Sequence, residues 1–153
     1  MRERPADAHV IACYSDPGLE LCRAEISQPV FGIMESGLAL SLTRGTRFGV
    51  IALSEASISR HLVAIERMGR GSRLAAERAL GASVAESAKS NALPALIRAG
   101  EDLRDLDGAD VIILGCAGMA VHRGPLEETL GVPVIDPCQA AVGAAIAALL
   151  SRQ

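Results

Sequence analysis

Short apolar runs rich in β-branched residues alternate along this chain with longer segments of Ala, Leu, Arg and Glu. That alternation predicts strand–helix units around a parallel sheet, since a strand covered on both faces is apolar throughout and each crossover needs a helix. The clearest strands are residues 47–53 (RFGVIAL) and 109–115 (ADVIILG), with shorter ones at 9–12 (HVIA) and 132–136 (VPVID). Residues 29–33 read as a short extended piece. Residues 72–81 hold helix formers but are hemmed in by Gly71 and Gly81, so they read as a strand or a stub. The first helix is expected to start from a cap at Ser15 or Asp16, with Pro17 in its first turn, and to run to about residue 26. Others are expected at 35–42, from the Ser54 and Ser57 caps to about 68, through most of 84–106 and from the turn at 116–119 to about 130. The last runs from Pro137 to about 150.

Composition narrows the function classes. Of 153 residues, 50% are apolar and 22% charged, which suits one domain with a true core and not a disordered chain. Two Phe, one Tyr and no Trp cannot build the base-stacking platforms of single-strand binders, and a net charge of −3 opposes a phosphate-backbone partner. No nucleic-acid partner is expected. The longest apolar stretch, 140–150, is too short to span a bilayer, so no membrane partner is expected either. The opening MRERP lacks the hydrophobic stretch of a signal peptide, which predicts a cytoplasmic protein with free thiols. The four cysteines (Cys13, Cys22, Cys116, Cys138) and three histidines show no metal-ligand spacing, so no metal is expected.

Two of these cysteines occupy equivalent places. Cys13 follows the strand at 9–12 and Cys116 follows the strand at 109–115, each before a predicted helix. The carboxyl ends of parallel strands are where ligands bind, and a helix N-terminus offers N–H donors that favour a thiolate. The ordinary reading of a buried Cys is a small hydrophobe, and it suffices for Cys22 and Cys138.

Residues 12–18 (ACYSDPG) and 114–119 (LGCAGM), followed by 131–136 (GVPVID), resemble the paired cysteine signatures of the aspartate/glutamate/hydantoin racemase superfamily, in its hydantoin and allantoin racemase branch. The resemblance implies an α/β fold with parallel sheets flanked by helices, built as two pseudo-symmetric halves. It implies a cofactor-independent racemase with Cys13 and Cys116 as the two acid/base groups. The implied substrate is a small cyclic ureide, a 5-substituted hydantoin or allantoin. Amino-acid racemases and decarboxylases of the superfamily are the alternative, and a non-catalytic ligand-binding domain is the alternative of another class. Ser15, Asp16, Ala117 and Gly118 are the expected substrate contacts, with backbone N–H groups at 15–18 and 117–119 stabilising an enolate-like oxygen. Ser54 stands where the family has a threonine-rich turn, although a helix cap also accounts for it. Glu35 serves a helix start or the substrate. His122 is expected on a surface helix, and His9 and His61 are structural or exposed.

Family members begin with a strand ending in an Asn-Pro-Asn-type turn, and none precedes Cys13. The expectation is therefore a first half that is incomplete, made of 1–45 and 131–153, and a second half at 46–130. About 60 residues, at about 30 per strand–helix unit, would be absent from the first half. A homo-oligomer is expected to cover the resulting sheet edge.

Overall fold

A computed structural model describes residues 6–151. In chain order the strands are β1 (His9–Ile11), β2 (Val30–Gly32), β3 (Phe48–Ala52), β4 (Leu74–Ala79), β5 (Val111–Leu114) and β6 (Val134–Ile135). The helices are α1 (Leu19–Glu25), α2 (Ile33–Ser41), α3 (Glu55–Arg67), α4 (Val84–Ser87), α5 (Leu93–Asp105), α6 (Arg123–Leu130) and α7 (Pro137–Leu150). Four strands pair in parallel in the order β4-β3-β5-β6, and β1 pairs in parallel with β2 as a separate two-stranded sheet. The α/β class with parallel sheets flanked by helices is as the sequence predicts.

The central strands carry no polar side chain because both of their faces are covered. Alternate residues point to opposite sides of the pleat. Phe48, Val50, Val111 and Ile113 enter one core, with Ile33, Met34 and Leu38 of α2, Ile65 of α3 and Ala140 and Ala141 of α7. Ile51, Ile112 and Leu114 enter the other, with Leu96 and Leu103 of α5 and Leu126 and Leu130 of α6. Each fully buried Leu or Ile contributes about 1.5–3 kcal/mol relative to exposure. The stretch at 72–81 resolves as β4, an edge strand whose six residues are all half-buried. The edge lets the Arg78 side chain reach solvent, whereas that of Glu77 turns inward and is buried.

Helix starts depart from expectation in two places. The helix expected from a cap at Ser15 or Asp16 begins only at Leu19; its N-cap is Gly18 in the left-handed region (φ 73°), with no side-chain cap. The stretch at 84–106 divides into α4, a 3-10 turn at Ser90–Ala92 and α5, with Pro94 in the first turn of α5, where its missing N–H is harmless.

Asp110, just before β5, fixes where the sheet begins. Its carboxylate accepts the N–H of Thr46 at 2.8 and 2.9 Å and of Arg47 at 2.8 Å. Partial burial pushes this carboxyl up, but the Thr46 hydroxyl and the N–H groups of Arg47 and Thr46 outweigh it and hold it below the usual carboxylate range. A lowered folded pKa means stability present above the unfolded value and lost as pH falls through the folded one. Asp110→Ala is expected to remove about 1 kcal/mol at neutral pH. In acid-unfolding curves the variant should converge on the parent at low pH; an equal offset at every pH would refute this account.

Candidate active site

Cys13 stands just beyond the end of β1, exposed, on a turn closed by the N–H of Asp16 donating to the Cys13 carbonyl at 2.9 Å. It is not at a helix N-terminus, since α1 starts six residues later. The next residue, Tyr14, points the opposite way into the core. Asp16 is buried with φ 43°, in the left-handed region that Asp and Asn tolerate best among side-chain-bearing residues. Its two carboxylate oxygens accept the N–H groups of Met34 and Glu35, each at 2.9 Å. Asp16 thus caps α2, not the helix that follows it, and its oxygens are engaged by backbone. Gly32 admits this side chain: a Cβ there would lie 2.2 Å from the Asp16 carboxyl. Glu35 is likewise engaged, paired with Arg23 through both of its oxygens. Ser15 is half-buried and, with Asp16 and Arg67 of α3, lines a cleft of about 520 Å³.

Cys116 stands at the end of β5 and is buried; it caps the 3-10 helix Ala117–His122, and the Gly118 N–H donates to its sulfur at 3.4 Å. Ala117 is half-buried beside it. Gly118 has its missing side chain directed at α4: a Cβ there would lie 3.1 Å from the Val84 carbonyl oxygen and 3.2 Å from the Ser87 hydroxyl. Gly115, which precedes the thiol, donates to the Ile51 carbonyl at 2.8 Å, and a Cβ would sit 2.6 Å from that same oxygen. Only glycine allows β3 and β5 to approach this closely. Gly115→Ala is expected to lower stability by about 2–3 kcal/mol, the range of an overpacked core site, as read from urea unfolding midpoints. An unchanged midpoint would remove the close approach from the account of how Cys116 is placed.

Ser54 ends the β3 crossover at the same edge of the sheet as Cys116. Its backbone is extended at the N-cap of α3, and its carbonyl accepts the Ser57 N–H at 3.0 Å; its hydroxyl lies 3.1 Å from that of Ser57 and makes no side-chain cap bond. Cys22 is half-buried in α1, and Cys138 is half-buried in the first turn of α7. Burial pushes the Cys138 thiol up, aided by the charges of Asp136 and Cys116, which keeps it protonated. Among the described residues no group of three or more His, Cys, Asp or Glu side chains could hold a metal ion.

Residues 1–145 match the Asp/Glu/Hydantoin racemase family. The chain belongs to that family. It is 37% identical over 143 residues to the hydantoin racemase of Paenarthrobacter aurescens, covering 92% of this chain and 60% of the relative. The allantoin racemase of Klebsiella pneumoniae superposes with a TM-score of 0.88 at 30% identity, covering 97% of this chain and 62% of that one. The allantoin racemase of Pseudomonas fluorescens gives a TM-score of 0.89 at 30% identity, covering 96% of this chain and 63% of that one. The chain therefore spans about three fifths of the length of the relatives it matches.

Within the family fold, three positions matter to the site in ways that sequence reasoning missed. Asp16 serves α2, Gly115 lets β3 and β5 close together, and His122 is buried and does not lie on a surface helix. The His122 Nε2 lies 3.0 Å from the Ser87 carbonyl oxygen, tying the end of the Cys116 turn to α4. A Gly directly before a motif cysteine at a strand end was the available signal for Gly115. No helix among the described residues is long and apolar enough to cross a membrane.

Proposed function

We propose that this chain carries the two-thiol centre of a racemase acting on a cyclic ureide, a 5-substituted hydantoin or allantoin. The observation that carries the reading is the matched placement of Cys13 and Cys116, each on a turn at the carboxyl end of a parallel strand. Relatives named hydantoin racemase and allantoin racemase support the substrate class.

In this reading one sulfur, as thiolate, takes the proton from the carbon next to the ring carbonyl, and the other, as thiol, delivers a proton to the opposite face. The roles exchange for the other enantiomer. The intermediate gathers negative charge on the carbonyl oxygen, which backbone donors stabilise. Four N–H groups of the two turns are already committed: Asp16 to the Cys13 carbonyl, Leu19 to Asp16, Gly118 to the Cys116 sulfur and Met119 to the Cys116 carbonyl. Ser15, Gly18 and Ala117 are the donors left for the oxyanion, with the Ser15 side chain and Ser54 as further ring contacts. Asp16 and Gly118 act by shaping the turns. Neither 12–18 nor 114–119 contains Arg or Lys to clamp a free carboxylate, which favours a neutral ring over an amino acid. Only protons move, so the reaction calls for no electron-carrying cofactor.

The test is turnover in deuterated water. A hydantoin or allantoin should lose optical rotation and gain deuterium at its stereocentre, while aspartate and glutamate stay unchanged. Release of carbon dioxide from a malonate-type acid would instead mark a decarboxylase. No exchange with any of these would sink the proposal.

A further inference from the structure

Directly behind the Cys13 turn lies a buried polar cluster that the proton-transfer reading does not use. The Glu77 Oε2 of β4 sits 2.8 Å from the Nδ1 of His61 on α3, with both side chains almost fully buried. The His61 ring meets Tyr14 edge to face, with centroids 5.0 Å apart and planes at 78°. Two polar atoms of this cluster, the Tyr14 hydroxyl and the Glu77 Oε1, are buried without a hydrogen-bond partner among the described residues. Burial pushes the Glu77 carboxyl up against the pull of His61, and burial, with the charges of Glu77 and Asp16, pushes the Tyr14 hydroxyl well above its ordinary value.

Stability alone is a poor reason for this arrangement. A buried pair is often replaced by apolar residues of like volume with no loss, and each unpartnered polar atom adds a desolvation penalty. The rest of that core is apolar: Ile33, Met34, Phe48, Val50 and Ile65. What distinguishes the three residues is where they connect. Tyr14 adjoins Cys13 on the turn after β1, whereas His61 and Glu77 belong to the helix and edge strand of the four-stranded sheet that also carries Cys116.

We propose that Tyr14, His61 and Glu77 are positioning residues for Cys13: Glu77 orients the His61 ring, that ring holds Tyr14 edge-on, and Tyr14 fixes the turn bearing the neighbouring thiol. The functional meaning rests on the two-thiol reading; the placement of Cys13 does not. Proton uptake by Glu77 removes the carboxylate that faces the His61 ring, weakens that bond and loosens the turn. The charged groups around the cluster are Asp16 on the turn, Arg67 and Glu55 on α3, Arg78 beside Glu77, and Arg98 and Asp102 across the adjoining cleft. Arg78 is itself held by Asp102 and Asp107.

The experiment compares the parent with His61→Leu/Glu77→Leu, which removes the pair without stranding a charge, and with Tyr14→Leu, which removes the ring that His61 meets and serves should the double variant not fold. Iodoacetamide labelling of Cys13 is followed by mass spectrometry across pH, normalised to a free thiol in the same tube. In the parent the normalised rate should rise at least about threefold as Glu77 takes up its proton, and the step should be flat in the double variant. In Tyr14→Leu, where no ring meets His61, the step should be flat as well. If the parent turns over a hydantoin, the double variant should lose at least about tenfold in kcat with KM within about twofold, as misplacement of a reacting group does. A folded double variant that labels with the parent's pH profile overturns the proposal. So does a Tyr14→Leu profile superimposing on the parent's where the double variant fails to fold. Labelling decides even where no hydantoin reacts, so failure of the racemase reading and failure of the positioning role are read separately.

Discussion

Cys13→Ser and Cys116→Ser are each expected to reduce racemisation to the background rate, because a serine hydroxyl is far too weak an acid to supply the base at neutral pH. The loss should exceed about a thousandfold, consistent with removal of one member of a unit that works only as a pair. Serine preserves shape, so the buried Cys116 site should lose little stability and thermal unfolding should stay close to the parent. Each variant keeps one thiol, so each should still exchange the substrate proton of a single enantiomer with deuterium, the two variants choosing opposite hands. Cys22→Ser and Cys138→Ser, which remove half-buried thiols on α1 and α7, should turn over within a few-fold of the parent. Equal loss across all four variants would mean that the cysteines report on folding and that the two-thiol assignment is wrong.

Asp16→Ala should be the most damaging substitution outside the thiols. It strands the N–H groups of Met34 and Glu35 at the start of α2 and places alanine at a positive φ. Together these remove about 2–3 kcal/mol, read from denaturant midpoints. Asp16→Asn retains one acceptor and tolerates the backbone, and should lose about half as much. The pH dependence has a definite sign. Burial pushes the Asp16 carboxyl up, with Glu35 adding to it, against the Met34 and Glu35 N–H groups and Arg23. With the folded pKa raised, the linked stability is complete below the ordinary carboxylate value and is lost as pH rises through the folded one. The gap between parent and Asp16→Ala should therefore be widest in acid and narrow toward neutral pH; a gap that widens with pH would contradict the burial argument. Because the same carboxylate closes the Cys13 turn against α2, turnover should fall with it by about tenfold or more.

Much of this fold was legible from the residues, and the exceptions share a cause. The strands β3 and β5 were readable because burial on both faces leaves no polar position to confuse the pattern. The strand β4 was readable only as a strand or a stub, because an edge accepts LAAERA, whose residues favour a helix in isolation. The two cysteine turns could be found as motifs, yet the partners that hold them could not. Asp16 reaches a helix 18 residues on, and His122 reaches a carbonyl 35 residues back. Local preference suggested for Asp16 the nearest helix, and for His122 the solvent. Such bonds depend on which elements meet in space, and no short window of sequence contains them.

Tyr14 is the only tyrosine in a chain without tryptophan, and it adjoins Cys13 while meeting His61 edge to face in the core. On excitation at wavelengths that phenylalanine does not absorb, the ultraviolet emission of this protein therefore arises from one ring. Its intensity and lifetime report a single spot, next to one of the two thiols, with no dye attached and no background from elsewhere in the chain. Stopped-flow mixing with a ligand can follow the turn in real time by its own light.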